Sequence, residues 1–304
     1  HGPVHHMKKQ GTATMGGIAI IFAAFIGWLV AHLRGGIALS DQAMIMWSIC
    51  GVLSVIGFLD DFLKVRNAHN RGIFWKKKGY ITFGLVVVMM TWLLLGTGVS
   101  ETLSFTRFDF PGWNLSPILW VVWTSLMVWA TTNAVNVTDG LDGLAAGSAL
   151  FGFLAFTVIA YWGFRNPDIY NLVNPLDLAV FSAAMAGACG GFLWWNASPA
   201  KIFMGDVGSL ALGGAIAGIA ITLRTQLLLV ILGFIFVLIT ASVILQVVYF
   251  KISGGKRIFK MAPLQHHFEL MGWGEVTIVI RFWIIASLGV AAGLGLFYAQ
   301  WVAS

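Results

Sequence analysis

Read as apolar and polar positions, the chain alternates between long apolar runs and short polar joints. Nine runs stand out, at about 13–33, 43–59, 80–99, 116–132, 143–163, 176–195, 208–223, 226–250 and 276–300. Each approaches the roughly 20 residues that an α-helix needs to cross the hydrocarbon of a bilayer. None shows the alternation over about ten residues that marks a strand of a membrane barrel. The pattern predicts an all-α integral membrane protein, a polytopic helical bundle of nine transmembrane helices forming a single domain over 1–304. Gly214 and Gly218 in the seventh run, and Gly187 and Gly191 in the sixth, stand four residues apart, the spacing that lets helices pack closely.

Composition strengthens this reading. The 304 residues are 59% apolar and 10% charged, whereas soluble domains carry about a quarter charged residues. A core cannot absorb that apolar excess, because a folded chain of this length still needs a polar skin. An ordinary cytosolic enzyme, a secreted disulfide scaffold and a disordered chain are excluded. Cys50 and Cys189 sit inside apolar runs and read as packing residues.

Charge gives the bundle a direction. If the runs alternate across the membrane, the segments 1–12, 60–79, 133–142, 196–207 and 251–275, with Arg281 just beyond, hold 14 of the 18 Lys and Arg residues. The opposite set holds Arg34, Arg107, Arg165 and Arg224. The positive-inside rule places the basic set in the cytoplasm. On the other side, Phe105–Pro117 carries Phe105, Phe108, Phe110 and Trp113 and reads as an interfacial aromatic belt without chemistry of its own. The chain opens on His1 and shows no secretory signal pattern, so its natural start is expected further upstream.

The twelve acids are placed unevenly. Asp60 and Asp61 (GFLDDFLK), Asp139 and Asp142 (NAVNVTDGLDGLA) and Asp206 (KIFMGDVGSL) all fall on the basic rim, at the mouths of apolar runs. Acids at such positions are costly and mark function. Adjacent carboxylates in a dry setting repel, so Asp60 and Asp61 call for a proton or a cation. Asn133, Asn136, Asp139 and Asp142 stand at every third position, and an unbroken helix would spread them over half its circumference. Gly140 and Gly143 argue for a helix end and loop that converge them on one ligand, with a helix cap at Asp142 as the plainer alternative. Gly205 and Gly208 permit close backbone approach around Asp206, which heads the next helix, where an anion or a metal-bound phosphate fits.

The loop 251–275 carries the adjacent pair His266 and His267, poor geometry for zinc and better suited to a substrate phosphate, unless the pair is simply exposed. Lys9, Lys64, Lys76, Lys77 and Lys78 lie on the same rim. Each is worth about 1 kcal/mol of attraction to anionic lipid. Together with five acids they also suit Mg²⁺ and a polyphosphate. Mg²⁺ takes one or two carboxylates and leaves its other positions to water and phosphate oxygens, and phosphoryl transfer needs mainly positioning and charge neutralisation.

Five motifs in order, GTATMGG (11–17), GFLDDFLK (57–64), NAVNVTDGLDGLA (133–145), FMGDVGSLALGG (203–214) and MAPLQHHFE (261–269), resemble the phospho-N-acetylmuramoyl-pentapeptide transferases. These belong to the polyprenyl-phosphate N-acetylhexosamine-1-phosphate transferases. One motif alone is weak; five in register from Gly2 to about Trp283 are specific. The resemblance implies transfer of phospho-MurNAc-pentapeptide from UDP-MurNAc-pentapeptide to undecaprenyl phosphate, giving lipid I and UMP in peptidoglycan biosynthesis. It implies Mg²⁺ as cofactor, the cytoplasmic face of the bacterial inner membrane as location, a homodimer in the lipid bilayer, and no nucleic-acid partner. It also implies ten helices, the first lying before His1.

Carried over by motif, Asp60 and Asp61 are the aspartate pair, and Asp206, with Asp139, is associated with Mg²⁺. Asn133, Asn136, Asp139 and Asp142 fall at the nucleotide site, and Asn196, Phe203 and Gly205 in the uridine pocket. Lys9, Thr14, Lys64, Lys78, Ser209 and Gln246 match further positions of the cleft. His266 and His267 match the last two of three catalytic histidines. The first of the three is replaced by Gln265, which can hydrogen-bond to substrate but cannot carry charge or shuttle a proton; Ala13 stands where proline is common. The expected reaction is an in-line displacement with Asp60 taking the last proton of the lipid phosphate, or a two-step route through an aspartyl phosphate. A relative acting on UDP-GlcNAc is the nearest alternative, and a transporter, whose acids belong near the bilayer midplane, a remoter one.

Overall fold

The computed structural model describes residues 11–66 and 72–302. In chain order the elements are α1 (Gly17–Gly35), α2 (Asp41–Arg66), α3 (Trp75–Thr97), β1 (Thr102–Arg107), β2 (Phe110–Asn114), α4 (Pro117–Thr138), α5 (Leu144–Arg165), α6 (Pro167–Tyr170), α7 (Pro175–Asn196), α8 (Gly205–Thr222), α9 (Leu229–Leu232), α10 (Phe234–Ile252), α11 (Leu264–Leu270) and α12 (Glu275–Val302). Among the described residues nine of these helices are long and apolar enough to cross a membrane. The protein is a polytopic all-α membrane bundle.

One expected span is broken, and the expected aromatic belt takes up regular structure. The run 226–250 is not one helix: α9 ends at Leu232, and the chain restarts as α10 at Phe234 after Gly233, a poor helix former. The aromatic segment 105–117 contributes to an antiparallel hairpin, β1 on β2, with Thr102 opposite Asn114 and Leu103 opposite Trp113. Its polar residues Thr102, Ser104 and Thr106 alternate inward along β1 and are buried. Helix α2 continues to Arg66, so Asp60 and Asp61 lie on its last two turns and not beyond its end.

Helix α8 forms the centre of the bundle: every residue from Val207 to Thr222 is buried. Glycines make this possible. A Cβ on Gly57 of α2 would run into the backbone of Asp206, and one on Gly17 of α1 into the backbone of Gly208. Gly214 and Gly218 receive Leu53 and Met46 of α2, as their spacing predicts. Gly187 and Gly191 do not pack in this way. Nothing lies within 4 Å of where their side chains would begin, and both line an open groove between α1 and α7.

At the end of the bundle away from the acids, Asp177 of α7 ties α1 and α2 together. It accepts from Trp28 Nε1 at 2.6 Å and from the Ser40 backbone N–H at 2.7 Å, and lies 3.0 Å from His32 Nε2. His32 Nδ1 lies 2.8 Å from the Trp28 carbonyl oxygen, which makes it the donor there.

Candidate active site

The N-terminus of α8 organises the other end. The first amides of a helix have no intrahelical acceptor, and Met204 supplies no capping side chain to α8. The acceptor comes from α2: Asp61 Oδ2 takes the Asp206 N–H at 2.7 Å and the Val207 N–H at 3.3 Å. One carboxylate from the aspartate pair thus fixes the helix that presents the third.

Asp206 is held from three sides. Its Oδ1 accepts from Asn136 Nδ2 of α4 at 2.8 Å, and the same amide lies 2.8 Å from Ser209 Oγ. Its Oδ2 accepts from Lys64 Nζ at 3.0 Å and also from Lys78. Lys64 Nζ lies 2.7 Å from Asp60 Oδ2 and 3.3 Å from Asp61 Oδ1, and Lys78 Nζ 3.2 Å from Asp60 Oδ2. Asp60 Oδ1 accepts from the Ile73 N–H at 2.6 Å. Two ammonium groups therefore sit among three carboxylates.

Asp60, Asp61 and Asp206 offer oxygen atoms that all lie within 4.8 Å of one another. Clustered hard oxygen donors are what Mg²⁺ takes from a protein, so this donor set fits the ion. Asp139 lies outside that trio but lines the same cavity of about 480 Å³, together with Asp61, Lys64, Asn136, Asp142 and Asp206. Burial, and then the charges of Asp206, Asp61 and Asp142, push the Asp139 carboxyl up to about 7.

Asn196, Phe203 and Gly205 complete the cavity wall. Gly205 takes φ +71°, and Thr14 Oγ1 lies beside it. The segment is braced by backbone bonds, Phe203 N–H to the Ala13 carbonyl at 2.8 Å and Gly16 N–H to the Phe203 carbonyl at 2.9 Å. Asn196 Oδ1 accepts from the Gly143 N–H at 3.0 Å and its Nδ2 donates to the Ile202 carbonyl at 2.8 Å, so this side chain joins two walls.

Other expected site residues take partners that their motifs do not suggest. Asn133 points away from the cavity, because α4 continues helically to Thr138; its amide donates to the Trp129 carbonyl and it lines the groove between α3 and α4. Asp142 is no helix cap: Gly143 precedes α5, and Asp142 Oδ2 accepts from the Ala200 N–H at 3.0 Å. Gln246 Oε1 accepts from the Ile258 and Phe259 amides at 3.1 and 2.9 Å, which anchors the loop before α11. Gln265 is fully buried and donates to the Val137 carbonyl at 3.1 Å.

His266 Nδ1 lies 2.6 Å from Glu269 Oε2, with its Nε2 toward Gly140, whereas His267 Nδ1 accepts from the Lys260 N–H at 3.1 Å. The adjacent histidines thus face different partners. Lys9 lies outside the described residues. Sequence reasoning missed Glu275, whose Oε1 accepts from the Asp142 N–H at 2.9 Å. The available signal was an acid at the head of the last apolar run, on the same rim.

Residues 42–224 match the model of glycosyl transferase family 4, which covers α2 to the end of α8 and so the three carboxylates, Lys64, Lys78 and Asn136. The bundle and its site are those of a polytopic membrane transferase. A phospho-N-acetylmuramoyl-pentapeptide-transferase of Streptomyces griseus is 48% identical over 318 residues, spanning 99% of this chain and 89% of the relative. Proteins of the same name from Cutibacterium acnes and Kineococcus radiotolerans are each 50% identical, over 321 and 324 residues, with the same coverage. The chain belongs to the phospho-N-acetylmuramoyl-pentapeptide-transferase family.

Proposed function

We propose that the protein transfers phospho-MurNAc-pentapeptide from UDP-MurNAc-pentapeptide to undecaprenyl phosphate, giving lipid I and UMP, at the cytoplasmic face of the bacterial inner membrane. One juxtaposition carries this reading. The polar cavity opens beside an apolar groove of about 680 Å³ between α3 and α4, with Asn136 lining both and Lys78 at the groove's mouth. Tyr80, Phe83 and Trp129 give the groove a wall suited to a prenyl chain. A nucleotide diphosphate in the cavity and a lipid phosphate in the groove would meet at Asp60, Asp206 and the two lysines.

Asp206, with Asp60 and Asp61 beside it, would hold Mg²⁺, which when bound supplies charge neutralisation on the diphosphate. Lys64 and Lys78 turn their ammonium groups from the carboxylates to the phosphates. Asp60 Oδ2, released from both, accepts the last proton of undecaprenyl phosphate. The lipid phosphate oxygen then bonds to the sugar-side phosphorus, and the bond from that phosphorus to the bridging oxygen breaks, UMP leaving with the electron pair. Asp61 keeps α8, and with it Asp206, in place throughout.

The test is UMP release in detergent from UDP-MurNAc-pentapeptide, undecaprenyl phosphate and Mg²⁺, beside Asp60→Asn and Asp206→Asn. Release that needs lipid, metal and both aspartates is expected. Turnover of UDP-GlcNAc in its place, or release from both variants at the parent rate, would overturn the proposal.

A further inference from the structure

The loop 139–143, between α4 and α5, forms one wall of the polar cavity through Asp139, Gly140, Leu141 and Asp142. A wall made of loop has to be held from outside, and here each hold is an identifiable bond. Gln265 of α11 takes the Val137 carbonyl, Asn196 of α7 takes the Gly143 N–H, and the Ala200 N–H takes the Asp142 carboxylate. A further hold is Glu275, the first residue of α12, which accepts the Asp142 N–H at 2.9 Å across 133 positions of chain.

Helix α5 explains why such an acceptor is needed. The chain enters α5 through Asp142 and its N-cap Gly143, whose amides lie ahead of the helical turns and need acceptors from outside them. They find them on α12 and α7. The reach of Glu275 is fixed in turn by Trp283, eight residues and about two turns further along α12. Its indole lies so close to Gly147 of α5 that a Cβ there would collide with the ring. That contact seats α12 closely against α5, two turns from the Glu275 carboxylate.

We propose that Glu275 is a positioning residue for the nucleotide end of the site. It does not line the cavity itself. It fixes the backbone at Asp142, and through it the wall that carries Asp139, so its loss is felt by the nucleotide substrate and not by the lipid substrate. The proposal rests on the reading of the polar cavity as the site of the UDP-linked substrate.

The experiment measures both Michaelis constants and the direct binding of UDP-MurNAc-pentapeptide for the parent, Glu275→Ala, Glu275→Gln and Glu275→Asp. Loss of a hydrogen bond of this kind corresponds to about a tenfold change. Glu275→Ala and the shorter Glu275→Asp are expected to weaken nucleotide binding and raise its KM about tenfold. kcat and the KM for undecaprenyl phosphate should stay within about threefold, since neither depends on that bond. Glu275→Gln, whose amide oxygen still accepts the N–H, should bind within about twofold of the parent.

A residue that merely supports the fold would lower the yield of active protein without separating the two KM values. Unchanged nucleotide KM in Glu275→Ala, or equal impairment in Glu275→Gln, would overturn the proposal. If Glu275→Ala does not fold, the Gln and Asp variants decide by the same criterion. Failure of the parent to bind the UDP-linked substrate would instead sink the reading of the cavity.

Discussion

Asn136 of α4 and Asp206 of α8 are joined at 2.8 Å, and this bond ties the helix that ends at the cavity to the helix that begins there. The partner is charged, and such hydrogen bonds contribute about 1.5–3 kcal/mol. Asn136→Ala should therefore lower kcat/KM for UMP release by roughly 10- to 100-fold while the protein stays folded. Asn136→Asp should do worse, because it sets a further carboxylate against Asp206. A variant Asn136→Ala within twofold of the parent would show that Lys64 and Lys78 alone hold Asp206.

Gly57 and Gly187 make opposite predictions from the same chemical change. At Gly57 an added methyl group meets the backbone of Asp206, and the helices must part to admit it. Overpacking of this kind costs about 1–3 kcal/mol. Gly57→Ala should lower the Tm in detergent and lower kcat as well, since α8 carries Asp206. At Gly187 the space is open, and alanine is the better helix former by up to about 1 kcal/mol. Gly187→Ala should leave both Tm and kcat unchanged or slightly raised.

The glycine pairs also show which features were legible in the sequence. Four-residue spacing was identical at 187/191 and 214/218, yet only the second pair meets α2. Spacing describes one helix, whereas packing depends on which neighbour arrives. Asp60, Asp61 and Asp206 could be read because an acid beside an apolar run is costly and rare, so its presence already implies a compensating group. Asn133 could not, because its direction depends on whether α4 ends before or after it, and α4 ends at Thr138. Gln246, Gln265 and Glu275 bind backbone groups in other segments. A backbone amide has no residue identity, so no motif records that partnership.

Asp139 predicts a dependence of stability on pH. Its carboxyl, ordinarily near 3.8, is pushed up to about 7 in the folded protein. Between those values the folded protein keeps a proton that the unfolded chain has lost, so stability falls as pH rises through the window. Asp139→Asn stays uncharged throughout and should flatten that slope. In EDTA, the Tm of Asp139→Asn should exceed the parent's at pH 8 and converge with it toward pH 4. Parallel Tm curves for the two proteins would show that the Asp139 carboxyl is not raised.

Asp177 separates stability from catalysis. It is almost wholly buried and accepts from Trp28, accepts from the Ser40 backbone, and pairs with His32, all at the end of the bundle away from the aspartate trio. His32 Nδ1 donates to the Trp28 carbonyl, and its Nε2 lies 3.0 Å from Asp177 Oδ1. Asp177 is therefore a buried acceptor held by the Trp28 indole and the Ser40 backbone N–H. Removing it leaves those buried donors without their acceptor, at a cost of about 1–3 kcal/mol each. Asp177→Ala should lower the Tm markedly, while folded enzyme keeps the parent KM for both substrates. Asp177→Ala combined with His32→Phe removes the acceptor together with the ring that faces it, and should cost less than the sum of the two single substitutions. If the double variant is less stable than Asp177→Ala by the full cost of a second independent substitution, the two side chains are not coupled.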